Sequence, residues 1–340
     1  MNLTIKDAFE TALVKNLVIV AMGIVINCIN GIIILTFFRN SVFHCETRYI
    51  LYMNLVVNDM TMIFVSVTLH VLTHATSSVN SSVCCTLIVI SSTTYMNTPI
   101  ILAGMAIERY IAICKPLHHT QICTVRRTYV LIGLTWAVGF TPTIVDVFIV
   151  YAIEPTRFFS SVGLCHPLII YISQIYAQKT QVVQGLYMSF VWLMLIYTYL
   201  RVFLTARAAT CDAASAKKAQ STILLHGAQL LLCMLSYITP YIEMALVPFF
   251  PVHRSTIMFL CYLITMILPR LLSPLIYSIR DQKFAKCMSQ YYSCRVNTPK
   301  EHRKRRRMSS FSKKVFTTCT LSLRNTHVKI PMNPYSRSQQ

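Results

Sequence analysis

Residues 105–119 read MAIERYIAICKPLHH. An apolar run ends at Glu108, Arg109 and Tyr110, and Lys115, Pro116, His118 and His119 lie just beyond it. A carboxylate beside a guanidinium at the foot of a membrane helix is expensive, so the two are either paired or poised for a partner at the membrane face. The plainer alternative is a helix-end arginine that snorkels to the headgroups.

Composition decides that the run belongs in lipid. The chain has 340 residues, 55% hydrophobic and only 12% charged, and its mean hydropathy is +0.55. Soluble domains carry about a quarter charged residues. Seven apolar stretches approach the roughly 20 residues that cross a bilayer: 16–38, 49–72, 83–112, 129–150, 182–203, 223–247 and 257–279. The expected fold is an all-α membrane protein, a bundle of seven transmembrane helices. Lys283, Phe284 and Lys286 then predict a short amphipathic eighth helix lying on the membrane. This divides the chain into an outer N-terminal segment 1–15, a bundle 16–279, a juxtamembrane helix 280–294 and a basic, disordered tail 295–340.

The net charge of +20 is a matter of topology. Arg39, Arg48, Lys115, Arg126, Arg127, Arg207, Lys217 and Lys218 fall in alternate loops, on the side of the basic tail. The opposite loops carry mainly Arg157, Lys179 and Arg254. The positive-inside rule puts the N-terminus outside and the tail in the cytoplasm, and nucleic acid is not an expected partner. The first apolar run lacks a basic leader and a small-residue cleavage site, so it reads as a retained helix. The basic run 303–307 is expected to attract anionic membrane lipid, at about 1 kcal/mol per residue near the surface. Phosphorylation of Ser309, Ser310 or Ser312 would weaken that attraction. Asn2-Leu3-Thr4 is a glycosylation sequon on the predicted outer face.

Within the spans, polar residues are few. Asn30 is a mid-membrane amide that needs partners on neighbouring helices. Asp59 is an isolated carboxylate in an apolar helix and the main deep charge; it is either functional or simply buried neutral. Ser91, Thr94, Tyr95 and Thr98 follow at i, i+3, i+4 and i+7, one polar stripe that must face the bundle. Their hydroxyls either serve a pocket or bond back to their own helix, with Tyr95 the strongest candidate for a pocket wall. Trp136, Gly139 and Pro142 read as packing and kink positions. Asp146, near the outer end of the fourth span, is open to wetting at the surface. Pro240 predicts a kink in the sixth. Glu243 either meets a cationic ligand group or is solvated. No paired carboxylates, nucleophile–base pair or metal cluster stands out, so the chain is not expected to be an enzyme, and no cofactor or metal is implied; Cys165-His166 alone is a poor metal site.

Several of these stretches resemble the odorant receptors of the class A (rhodopsin-like) G-protein-coupled family. The opening stretch is similar to MAxDRYxAICxPLxY, with Glu108 in place of the more usual Asp. Residues 218–226, KAQSTILLH, resemble KAxxTCxxH, with Ile223 replacing cysteine. Leu55 to Asp59 is similar to the second-helix LxxxD, and Asn30-Gly31 to the first-helix GN with its glycine displaced. Residues 269–284, PRLLSPLIYSIRDQKF, resemble the NPxxY region in a fish-type form, with Ser273 replacing asparagine ahead of Pro274 and Tyr277.

The resemblance implies roles. Glu108, Arg109 and Tyr110 would couple to a heterotrimeric G protein of the olfactory stimulatory type, raising cyclic AMP. Asn30, Asp59, Tyr199, Lys218, His226, Ser273, Pro274 and Tyr277 would form the activation network, and Asp59 would be placed to hold sodium, an inference the loss of asparagine at position 273 weakens. Cys84, twenty-five positions before Arg109, would bridge to Cys165 in the second outer loop, leaving Cys85 over. A small-molecule odorant would sit among Ser91, Tyr95, Tyr187, Tyr237, Glu243 and Tyr262. Arrestin and a receptor kinase would be further partners, and the plasma membrane of olfactory sensory cilia the location.

Overall fold

A computed structural model describes residues 2–75, 79–153, 162–163, 174–208 and 245–281, together with positions 227, 231, 237, 239, 242, 283, 284, 286 and 287. The chain is helical almost throughout these residues. Helix α1 is Asn2–Arg39 and, after a tight turn at Ser41–Cys45, α2 is Thr47–Ala75. A two-residue strand β1 (Val79–Asn80) leads into α3 (Ser81–Cys114). A short turn and α4 (His119–Ile122) connect to α5 (Val125–Ile153). Strand β2 (Val162–Gly163) precedes α6 (Gln174–Ala208). The last span is α7 (Arg254–Tyr262), a π turn (Leu263–Ile267) and α8 (Leu268–Arg280).

Six segments among the described residues are long and apolar enough to cross a bilayer: Ala12–Arg39, Thr47–Leu72, Ser81–Cys114, Val125–Ala152, Val182–Thr205 and Arg254–Pro274. They match six of the seven expected spans. The stretch 223–247 lies mostly outside the described residues, although 231, 237, 239 and 242 are helical. Helix α1 also runs back through the segment 1–15, as far as Asn2.

The most buried of the spans is α3, which packs on α2, α5 and α6. Its start is capped by Asn80, whose side chain accepts from the Ser82 N–H at 2.9 Å. Large apolar side chains such as Phe64, Phe148, Phe190 and Leu193 face outward. That arrangement is stable only in lipid, whose tails solvate such a surface as well as a core does.

The inner rim is closed by an aromatic clamp. Phe284, fully buried, lies 5.2 Å from the ring of Phe43, 6.1 Å from Tyr52 and 6.2 Å from Tyr49. Asp281 starts this turn: Oδ1 accepts from the Lys283 and Phe284 N–H groups, both at 3.1 Å, and Oδ2 accepts from the Tyr49 hydroxyl at 2.8 Å. Burial disfavours the charge of Asp281, but the Tyr49 hydroxyl, the backbone donors and Arg48 outweigh it and hold the carboxyl below its usual range. The clamp is therefore complete above the ordinary carboxylate range and weakens as pH falls through the lowered value. Lys283 and Lys286 are exposed beside buried Phe284, which is the amphipathic pattern expected of the juxtamembrane helix. Phe284→Ala should cost about 3 kcal/mol of stability, read as a lowered unfolding temperature of the purified protein in lipid nanodiscs.

Candidate functional site

The site has three levels, all built on α3. At the inner end, Glu108 is buried because α3 is enclosed there on several sides. Its Oε2 meets Arg109 Nε at 3.2 Å and its Oε1 meets His119 Nε2, also at 3.2 Å. Of the alternatives open in the sequence, the pair is thus closed, and Arg109 does not simply snorkel. The histidine comes from α4, which follows the turn Pro116–His118 and so folds back beneath the end of α3. Tyr110 turns the other way, its ring 6.1 Å from Tyr197 of α6.

At mid-depth the polar groups converge. Asn58 donates through Nδ2 to the Thr94 carbonyl and to Thr98 Oγ1, each at 3.0 Å. Thr94 and Thr98 also donate back to carbonyls of their own helix. Thr94 and Thr98 are buried in the bundle and follow the second of the two alternatives, bonding back to their own helix. Trp136 and Gly139 pack as expected. Trp136 Nε1 donates to Asn54 Oδ1 at 3.0 Å, and the amide of Asn97 fills the space that a side chain at 139 would need. Asn30 and Ser273 are buried, as is Pro274. Asp59 is not isolated. It shares a small cavity with Arg270 of α8, a buried guanidinium.

At the outer level, tyrosines meet α3 around one turn. The rings of Tyr95 and Tyr237 are 4.4 Å apart, and the Tyr237 hydroxyl donates to the Tyr95 carbonyl at 2.6 Å. Tyr187 of α6 donates to the neighbouring Met96 carbonyl at 3.1 Å. Ser91, half-buried, lies one turn above Tyr95. Tyr262 stands apart from this group: its hydroxyl is 2.6 Å from Ser66 Oγ and its ring stacks with His70 at 6.2 Å, both on α2. Asp146 is not wetted. It is buried and bonded to Lys179 of α6, which also donates to the Pro142 carbonyl at 2.7 Å.

Some expected residues lie elsewhere. Tyr199 packs against Gly227 of the sixth span. Cys84 is buried and disulfide-bonded, and half-buried Cys45 is disulfide-bonded too. Cys165, Lys218, His226 and Glu243, and the side chains of Asn2 and Tyr277, lie outside the described residues. His119, Arg270 and Lys179 are the residues that sequence reasoning missed. The signal for Arg270 was present, as a charge inside an apolar run; for His119 and Lys179 nothing local marked the partner.

A polar, tightly packed third helix ending in an ion pair is the centre of a bundle whose other helices are long and apolar enough to cross a membrane. Residues 29–277 match the 7 transmembrane receptor (rhodopsin family), and the chain belongs to that family. Its architecture is accordingly the seven-helix bundle, and the family is one of receptors, not of enzymes. The chain is 28% identical over 300 residues to Odorant receptor 131-2 of Danio rerio, a match that covers 85% of this chain and 89% of that protein. It is 28% identical to Olfactory receptor 4K1 of Homo sapiens over 58% of this chain and 63% of that one. With Olfactory receptor 4F5, also of Homo sapiens, the identity is 28% over 56% of this chain and 62% of that one. The resemblance to odorant receptors of fish type is thus carried by most of the chain.

The tyrosine level can be tested without a ligand. Tyr237→Phe removes the bond to the Tyr95 carbonyl and should cost about 1 kcal/mol, and Tyr187→Phe a similar amount, each read from thermal unfolding at equal expression.

Proposed function

We propose that this chain is an odorant receptor of the plasma membrane of olfactory sensory cilia, with its N-terminus outside. A small odorant binds within the outer half of the bundle, and a stimulatory, olfactory-type G protein is activated to raise cyclic AMP. The observation that carries this reading is the match to a Danio rerio odorant receptor over 85% of the chain.

The ligand region is centred on Tyr95, Tyr187 and Tyr237, which meet on one turn of α3. Ser91 and Glu243 complete it, and Tyr262 bounds it on the side of α2. A ligand acts only through its preference for the active packing. In that packing the inner end of the sixth helix, carrying Lys218 and His226, moves outward. Arg109 leaves Glu108, Tyr199 and Tyr277 close behind it, and the opened cleft, flanked by Tyr110, takes the G protein. Asn30, Asp59, Ser273 and Pro274 transmit the change between levels. The disulfide of Cys84 is read as closing on Cys165; the antiparallel pairing of Val79 with Gly163 and Asn80 with Val162 supports this by bringing the second outer loop to the start of α3. Asn2 is glycosylated, and the tail serves anionic lipid, a receptor kinase and arrestin.

The inner end of the sixth helix offers Lys217 and Lys218 but no acid, so Glu108, steadied by His119, is the restraint on Arg109. The test is cyclic AMP in cells that express the chain with an olfactory stimulatory G protein, challenged with pooled water-soluble and volatile compounds. A response in the unaltered receptor should vanish in Arg109→Ala at equal surface expression. Basal cyclic AMP should be appreciable and should rise in Glu108→Ala, and less in His119→Ala. A response that survives Arg109→Ala, or basal levels that Glu108→Ala leaves unchanged, would overturn this mechanism.

A further inference from the structure

Two opposite charges lie in the middle of the bundle. Asp59 is 5% exposed and Arg270 is 2% exposed, and both line one cavity with Leu55, Thr98, Leu102 and Ser273. The free space is about 10 Å³, enough for roughly one water molecule. Asp59 Oδ1 and Arg270 Nε have no hydrogen-bond partner among the described residues. The other guanidinium nitrogens are engaged: Nη1 donates to the Thr265 and Met266 carbonyls at 3.3 and 3.1 Å, and Nη2 lies 3.1 Å from Met62 Sδ. Those two carbonyls belong to the π turn Leu263–Ile267, where the helical bonding pattern is interrupted. The interrupted turn and α2 thus hold two of the arginine's nitrogens, and its Nε–H is left without a partner beside the cavity it shares with Asp59.

We propose that Arg270 is a built-in counter-cation for Asp59, joined to it through one enclosed water, and that this pair takes the place of an exchangeable monovalent cation. An arginine keeps its proton under all physiological conditions, so the cavity permanently contains a positive charge. Adding a sodium ion would set two cations against one carboxylate in a site of low dielectric, where like charges repel strongly. The space is also too small for an ion with any water of its own. The charge balance that other solutions leave to the ionic composition of the medium is here fixed in the sequence. Because the pair bridges α2 and α8, it ties these helices together whatever the ligand. The inference does not rest on the odorant or on the G protein.

The test uses the full-length receptor in nanodiscs, unfolded thermally in sodium chloride and in N-methylglucamine chloride at matched ionic strength. The unaltered receptor should unfold at the same temperature in both. Arg270→Met and Asp59→Asn should each lower that temperature, and the double variant should recover at least half of the summed loss, because neither charge is then left alone. Arg270→Met alone should gain a sodium-specific stabilisation. A sodium-specific shift in the unaltered receptor would overturn the proposal, as would strictly additive losses in the double variant. The measurement on the unaltered protein requires no variant to fold.

Discussion

Hydrocarbon gives a buried charge or amide no solvent, so a partner inside the bundle is strongly favoured; many such groups here find one, whereas Asn30 Nδ2 and both polar atoms of Asn97 have none among the described residues. Most of this protein's internal organisation follows from that constraint. Helix α3 carries the largest share of the polar groups and is accordingly the most enclosed of the spans. Asn58 bonds to it from α2, Tyr187 from α6 and Tyr237 from the sixth span. The Asn97 side chain fills the space beside Gly139 and so lets α5 lie close, a contact of packing and not of hydrogen bonding. The apolar residues that remain are free to face lipid.

The same constraint sets the inner end. A single arginine near the headgroups is tolerable, but a buried glutamate is not, and Glu108 therefore takes Arg109 on one oxygen and His119 on the other. Among the described residues, this arrangement holds the arginine through Glu108 alone. It is a local restraint, made within one turn of α3 and the loop that follows, and a ligand far away can release it only by changing how the helices pack. The tyrosines around Tyr95 join three helices at one level, which is why the proposed ligand region is centred there.

Much of this was legible in the residues. A span of about twenty apolar positions needs no tertiary information to be read as a membrane helix, and six of the seven stretches are helices in place. The ends were less legible, because helices continue beyond the hydrocarbon: α6 runs Gln174–Ala208, well past the apolar stretch 182–203. The i, i+3, i+4, i+7 spacing of Ser91, Thr94, Tyr95 and Thr98 marks the inward face of α3. Asp59 is conspicuous in the sequence, yet Arg270 lies more than two hundred positions away, and only the assembled bundle brings the two to one cavity. Tyr262 was grouped with Tyr95 but bonds to Ser66. The π turn that begins just after it changes the helical register, which no periodicity in the sequence announces. The partnership of His119 with Glu108 is not legible in the sequence for a related reason: it depends on the fold of a short loop, not on the helix.

In the proposed mechanism Arg109, released from Glu108, meets a G protein. The most direct measurement is guanine-nucleotide exchange on a purified olfactory stimulatory Gα subunit with its βγ partner, added to membranes containing the receptor. The account predicts faster exchange than with receptor-free membranes even without ligand, and loss of that acceleration in Arg109→Ala. Acceleration that persists undiminished in Arg109→Ala would contradict it, as would its absence from well-folded receptor at every density tested.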